Sequence, residues 1–149
     1  MHKDKLIHSY NVGKKMMEIG KKIGLSDEEL EELFTLGFNH DIGYEFTNES
    51  INHNKVGGEI LKRQKYKYYK EVYYHGDIDS DYSSLYLDIL NMADMQIDKF
   101  GKDVGYSLRL EDIKGRYGED SIIYKKCVIL VDNLKKKEKE WKKGVIYEW

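Results

Sequence analysis

No proline occurs anywhere in the chain, and cysteine occurs once, at Cys127. A lone cysteine excludes an intramolecular disulfide and any zinc site built on clustered thiolates. It lies in the apolar stretch "CVILV" and is read as core packing, the usual fate of a free cysteine. That stretch, residues 127–131, is the longest unbroken apolar run, far short of the roughly 20 residues that a membrane-spanning helix needs. The opening "MHKDKLIHSY" lacks the apolar centre of a secretory leader, so a cytoplasmic protein is expected, with no membrane partner. Charge of one sign is missing too: 25 Lys+Arg stand against 27 Asp+Glu, a net charge of −2, which provides no broad field to attract nucleic acid. Low-complexity linkers and internal repeats are also absent. With 149 residues and 40% apolar content, the chain suits a single domain spanning 1–149.

What is present is helical periodicity. Almost every segment repeats its apolar residues at three and four rather than at two, which predicts an all-α bundle of about six to seven helices. The first runs from Lys3 to Ile23, with His8, Val12, Met16, Ile19 and Ile23 on one stripe and Gly24 as its stop. The second opens on a capping box, Ser26 to Glu29, and carries Leu30, Leu33, Leu36 and Gly37 into His40. Further helices are expected over Asn52–Gln64, Tyr66–His75 and Ser83–Asp98. A C-terminal pair within 107–143 follows, the first capped by Ser107.

Four of the five histidines fall on inward stripes: His8 leads Val12 and Met16, His40 follows Leu33 and Leu36, His53 precedes Val56 and Ile60, and His75 follows Tyr68 and Val72. His2, close to the terminus, does not. Asp94 sits inward among Leu87, Leu90 and Ile97, where a carboxylate without a partner costs several kcal/mol. One inward histidine is ordinary; a core holding four imidazoles and the carboxylates of Asp41 and Asp94 needs a shared cation to compensate their desolvation. Nitrogen and oxygen donors without thiolate suit a divalent transition ion such as Fe, Mn or Zn. His40 and Asp41 are about 100° apart on a helix, so both reach one ion only at a helix end, where Gly43 is expected to free the backbone. Six donors exceed what one ion keeps while leaving room for substrate. Two ions bridged by Asp41 is the more economical arrangement.

In order along the chain, "HSYNVGKKM", "NHDIGY", "HNKVGGEIL", "VYYHG" and "NMADMQID" present His8, His40-Asp41, His53, His75 and Asp94. This pattern resembles the HD-domain phosphohydrolase superfamily, whose H…HD…D residues bind a divalent metal on an all-α scaffold. The resemblance covers residues 8–98. It implies a metal-dependent phosphohydrolase with His8, His40, Asp41, His53, His75 and Asp94 as metal ligands and a metal-activated water attacking phosphorus in line. His53 and His75 resemble the subset with binuclear sites, which includes bacterial hydrolases of symmetrical diadenosine tetraphosphate and cyclic-di-GMP phosphodiesterases. A chain without proline lacks the GYP motif of the latter, and Tyr44 stands where their HDIGK pattern has lysine, so that subgroup is disfavoured. The alarmone hydrolases carry HDxxED, whereas here the acid is displaced to Glu45.

On this reading a small nucleotide or related phosphate ester is the substrate, Lys55, Arg63 and Arg109 are candidate phosphate contacts, and Asp41 and Asp98 are the candidate catalytic carboxylates. Asp98, one helical turn past Asp94, is expected to orient a ligand histidine. The tyrosines of "KYKYYKEVYYHG" are read as core and interface packing, ahead of base stacking. "DIDSDY" has Tyr82 and Asp88 where a calcium loop needs glycine and glutamate, so it is read as a solvated loop at the mouth of the site. The tail "GVIYEW" suits core covering or a homodimer contact. Competing readings are a non-catalytic sensor or adaptor that binds metal and nucleotide, and a purely structural bundle.

Overall fold

The computed structural model describes residues 3–47 and 52–144; His2 and the tail beyond Gly144 lie outside them. The described residues form seven α-helices: α1 (Lys3–Lys22), α2 (Asp27–Asn39), α3 (His53–Arg63), α4 (Tyr69–Tyr74), α5 (Leu85–Asp94), α6 (Gly105–Tyr117) and α7 (Ile122–Gly144), with a 3-10 turn, Ile42–Glu45, between α2 and α3. Among the described residues there is no strand, only an isolated bridge between Ile97 and Asp103.

The capping box forms as the spacing predicts. Glu29 N donates to the Ser26 hydroxyl at 3.2 Å, and Ser26 N donates to the Glu29 carboxylate at 3.0 Å. Ser26→Ala is expected to destabilise the protein by about 1 kcal/mol and lower Tm by about 3 °C. An unchanged melting curve would show that the box contributes nothing.

Three boundaries differ from the periodicity. α4 starts at Tyr69 rather than Tyr66, because Lys65 takes φ 62° and Tyr66 N folds back onto Leu61 O. α6 starts at Gly105, whose φ of 79° turns the chain into the helix, so Ser107 lies inside the first turn instead of capping it. α5 stops at Asp94, since the Asp98 carboxylate accepts from Phe100 N and Lys102 N, both at 2.9 Å, and bends the chain into a loop. Asp98 therefore is not a helical turn beyond Asp94.

The core is assembled around α5, which buries Leu87, Ile89, Leu90, Met92 and Ala93. Against it pack α1 through Val12, Met16 and Ile19, α2 through Leu33 and Leu36, α4 through Val72, and α7 through Leu130, Val131 and Leu134. α1 and α2 approach so closely that a Cβ on Gly37 would lie 2.6 Å from Gly13 Cα. That crossing brings the inward stripes of His8 and His40 together. Cys127 is partly buried against the same core, and burial first, then Asp94, pushes its thiol up to about 11.

Of the tyrosine-rich segment, Tyr66, Tyr68 and Tyr69 pack against the core. Tyr68 and Tyr86 donate to Glu32 at 2.7 and 2.9 Å. Tyr82 and Ser84 donate to the buried Glu71, which ties the loop 77–82 back to α4. Among the described residues, no helix is long and apolar enough to cross a membrane.

Candidate metal centre

A helix ends at "NHDIG" so that two adjacent side chains can face one point. His40, at the C-cap of α2, keeps helical angles (φ −62°, ψ −28°), whereas Asp41 leaves the helix (φ −102°, ψ 17°). The change of φ rotates the Asp41 side chain about its N–Cα bond, and its carboxylate lies 3.3 Å from His40 Nε2. Gly43 has a different role from the one its position in a turn suggests, because its φ is not positive. A Cβ there would lie 1.8 Å from the carbonyl oxygen of His53. Glycine lets the first residue of α3 come against the turn, and that contact sets His53 beside Asp41.

All six residues of the predicted constellation converge. His8, His40, Asp41 and His75 are buried, and the His53 side chain is 17% exposed. Asp41 uses its oxygens in opposite directions. Oδ2 lies 3.7 Å from His8 Nε2 and 3.3 Å from His40 Nε2; Oδ1 lies 3.1 Å from His53 Nε2 and 3.6 Å from His75 Nε2. Asp94 Oδ1 closes the first set, 2.9 Å from His8 Nε2 and 3.3 Å from His40 Nε2. Donor atoms of His8, His40 and Asp41, of His40, His75 and Asp94, and of Asp41, His53 and His75 each lie within 4.8 Å of one another.

The outer ring nitrogens fix what the inner ones offer. Nδ1 of His8 donates to Asp98 O at 2.9 Å, that of His40 to Gly37 O at 2.6 Å, and that of His75 to Val72 O at 2.6 Å. A neutral imidazole with its proton on Nδ1 carries a lone pair on Nε2. Three such lone pairs point at carboxylate oxygens, which only accept. His40 Nε2, fully buried, has no hydrogen-bond partner. Acceptors facing acceptors in a desolvated space need a proton or a cation between them. These nitrogen and oxygen donors fit a divalent transition ion, so the cluster can hold metal.

The electrostatics agree. Burial by itself disfavours charge on all three partners, yet the attraction between His40 and the carboxylates prevails. Asp41 and Asp94 are held well below the usual carboxylate range, and His40 well above the usual imidazole value. His75 goes the other way, lowered first by burial and further by His53 and His40, against a hydrogen bond to the Asp41 carboxylate that raises it.

The remaining predicted site residues lie around this cluster in different ways. Asp98 meets His8 through its main-chain carbonyl, while its carboxylate binds the turn at 100–102. Arg109 reaches the centre's edge: its Nε donates to Asp94 O at 3.2 Å, one terminal nitrogen lies 4.0 Å from Asp94 Oδ1, and the other 3.3 Å from Asp112 Oδ2. Lys55 and Arg63 line a cleft with Phe46, Thr47 and Ile60. Lys55 sits about 200° around α3 from His53, so that cleft opens on the helix's outer face.

Two asparagines that the sequence reading passed over hold the His75 turn. Asn54 Nδ2 donates to Tyr73 O at 2.9 Å, and Asn91 Oδ1 accepts from Gly76 N at 2.9 Å. Both are buried. Their signal was available, since Asn54 shares a stripe with Gly57 and Leu61, and Asn91 with Leu87 and Asp94.

An all-α scaffold that gathers histidines and aspartates in the order H…HD…H…H…D around a buried, metal-competent cluster defines a class of metal-binding helical proteins. The family model of the HD domain matches residues 6–136, and the chain belongs to the HD-domain family. HD domains are typically metal-dependent phosphohydrolases. No curated protein and no solved structure matches the chain.

Proposed function

We propose that this protein is a metal-dependent phosphohydrolase with two divalent transition ions, Fe, Mn or Zn, that cleaves a phosphate ester or anhydride of a small nucleotide. The observation that carries this reading is the divided carboxylate of Asp41, with Oδ2 turned to His8 and His40 and Oδ1 to His53 and His75. One set comprises His8, His40, Asp41 and Asp94, the other Asp41, His53 and His75. Divalent ions held there would supply Lewis acidity and lower the pKa of a bound water, so that hydroxide is available to attack phosphorus near neutral pH. The residues do the rest. Backbone carbonyls of Gly37, Val72 and Asp98 orient three of the rings, and Arg109 holds Asp94 from behind. Asp98 serves through its carbonyl in positioning His8. Lys55 and Arg63 are proposed phosphate contacts only for a substrate long enough to pass over α3.

A nucleotide with several phosphates suits such a centre, and the order and spacing of the last three ligand blocks resemble those of symmetrical diadenosine-tetraphosphate hydrolases. That compound heads the substrate screen. The test is elemental analysis of protein purified without oxygen or chelator, followed by phosphate release from a nucleotide panel. About two transition ions per chain are expected, falling to about one in His53→Ala, with turnover lost on chelation and restored by added metal. Protein free of transition metal, and unable to take it up, would overturn the proposal in favour of a structural bundle. Full metal with no turnover on any nucleotide would favour a sensor.

A further inference from the structure

On the α1 side of the centre, three side chains from three elements form a column. The Tyr44 ring, from the turn after Asp41, stacks on the His53 imidazole with centroids 4.2 Å apart and planes 15° apart. Over Tyr44 stands the Lys5 ammonium, 3.8 Å from the ring centroid. Lys5 is one turn before His8 on α1, a spacing that puts the two side chains side by side. A partly buried cation thus waits one ring away from His53.

Two other cations, on α6 and α1, are already paired. Arg109 is bound to Asp94 and Asp112, and Lys15 to Asp103 and Glu18. Lys55 belongs to the outer face of α3. Among the described residues Lys5 pairs with no carboxylate, although it is one turn from His8, which meets Asp41 and Asp94. The ring face explains how it stays apart from them: it attracts an ammonium without neutralising it. A Lys5 bound to Asp41 would compete with metal for that oxygen, and Tyr44 prevents the competition by giving the ammonium another place to rest.

We infer that Lys5, held on the Tyr44–His53 stack, is the substrate-binding cation of this centre and pairs with a phosphate oxygen of the bound substrate. The inference rests on the metal-dependent reading above. Lysine carries three donors on a flexible four-carbon stem, so it can leave the ring for a phosphate without disturbing the stack beneath it.

The test uses the metal-loaded full chain and inorganic phosphate as the probe, titrated by calorimetry. Lys5→Met is expected to bind phosphate about tenfold more weakly than wild type at unchanged metal content. Its affinity should also vary less with salt, since one screened charge has gone. Lys5→Arg, which keeps the charge, is expected to stay near wild type. A second readout needs no variant: phosphate should slow amine acylation of Lys5, followed by peptide mass spectrometry, and leave the exposed Lys139 unaffected. Equal phosphate affinity and salt dependence in Lys5→Met, or unprotected Lys5 in phosphate-saturated protein, would overturn this inference alone. A wild type that takes up no metal would overturn both it and the function on which it rests.

Discussion

Asp41→Asn is expected to reduce bound metal from about two ions per chain to less than one and to lower turnover by about a thousandfold or more. Asparagine keeps the shape of the side chain but loses the charge and one of the two anionic oxygens. In the present geometry those oxygens face separate histidine pairs, with His40 at 3.3 Å on one side and His53 at 3.1 Å on the other. Asp94 meets His8 and His40 at 2.9 and 3.3 Å, with a His75 donor within 4.8 Å, whereas Asp41 meets histidines of both sets at 3.7 Å or less. The fold should survive, because replacing a desolvated carboxylate by a neutral isostere also removes a desolvation penalty. Metal content by elemental analysis and phosphate release on the same preparation check the expectation. Undiminished metal and turnover would show that Asp41 is a helix-end residue and nothing more.

The second large effect concerns packing. Gly43→Ala is expected to destabilise the protein by about 3 kcal/mol, which for a chain of this size lowers Tm by about 10 °C. The added methyl would meet the His53 carbonyl at 1.8 Å, and a main-chain atom at the start of a helix cannot swing aside as a side chain can. Whatever room the turn makes moves α3, so the separation of His53 from Asp41 should grow and metal binding weaken with stability. Gly115→Ala is the control. It sits within α6 with no atom within 4 Å of the new Cβ, and alanine there should stabilise by about 0.5–1 kcal/mol. Equal melting temperatures for the two variants would mean that the close approach at Gly43 does not govern the fold.

These two residues mark the limit of what the sequence discloses. His8, His40, His75 and Asp94 could be read because helices convert spacing into direction; the stripe of Val56 and Ile60 to which periodicity assigns His53 instead lines the outer cleft, and the buried face of α3 is Asn54, Gly57, Gly58 and Leu61. The all-α class follows from the same regularity, and so does the capping box at Ser26, a purely local device. Asp41 is legible only through its place at a helix end. Gly43 looks like any turn glycine, since nothing in "HDIGY" reveals that the His53 carbonyl will press against it. The pairing of Arg109 with Asp94 and Asp112, and the place of Lys5 over Tyr44, depend on how distant elements dock. Asp98 shows a related failure. Periodicity carried α5 through to it, but a local alternative, its own carboxylate bonding the amides of Phe100 and Lys102, ended the helix at Asp94.

The backbone anchoring of three imidazoles bears on how freely the surroundings of the centre can change. The partners of His8, His40 and His75 are carbonyls of Asp98, Gly37 and Val72, and every residue type supplies a carbonyl. Substitution at Asp98 or Val72 therefore leaves the acceptor itself in place, and what it puts at risk is the course of the chain, because Val72 is fully buried in the core and the Asp98 carboxylate holds the turn at 100–102. Side chains that leave the backbone where it is can change around the centre while its rings stay in register.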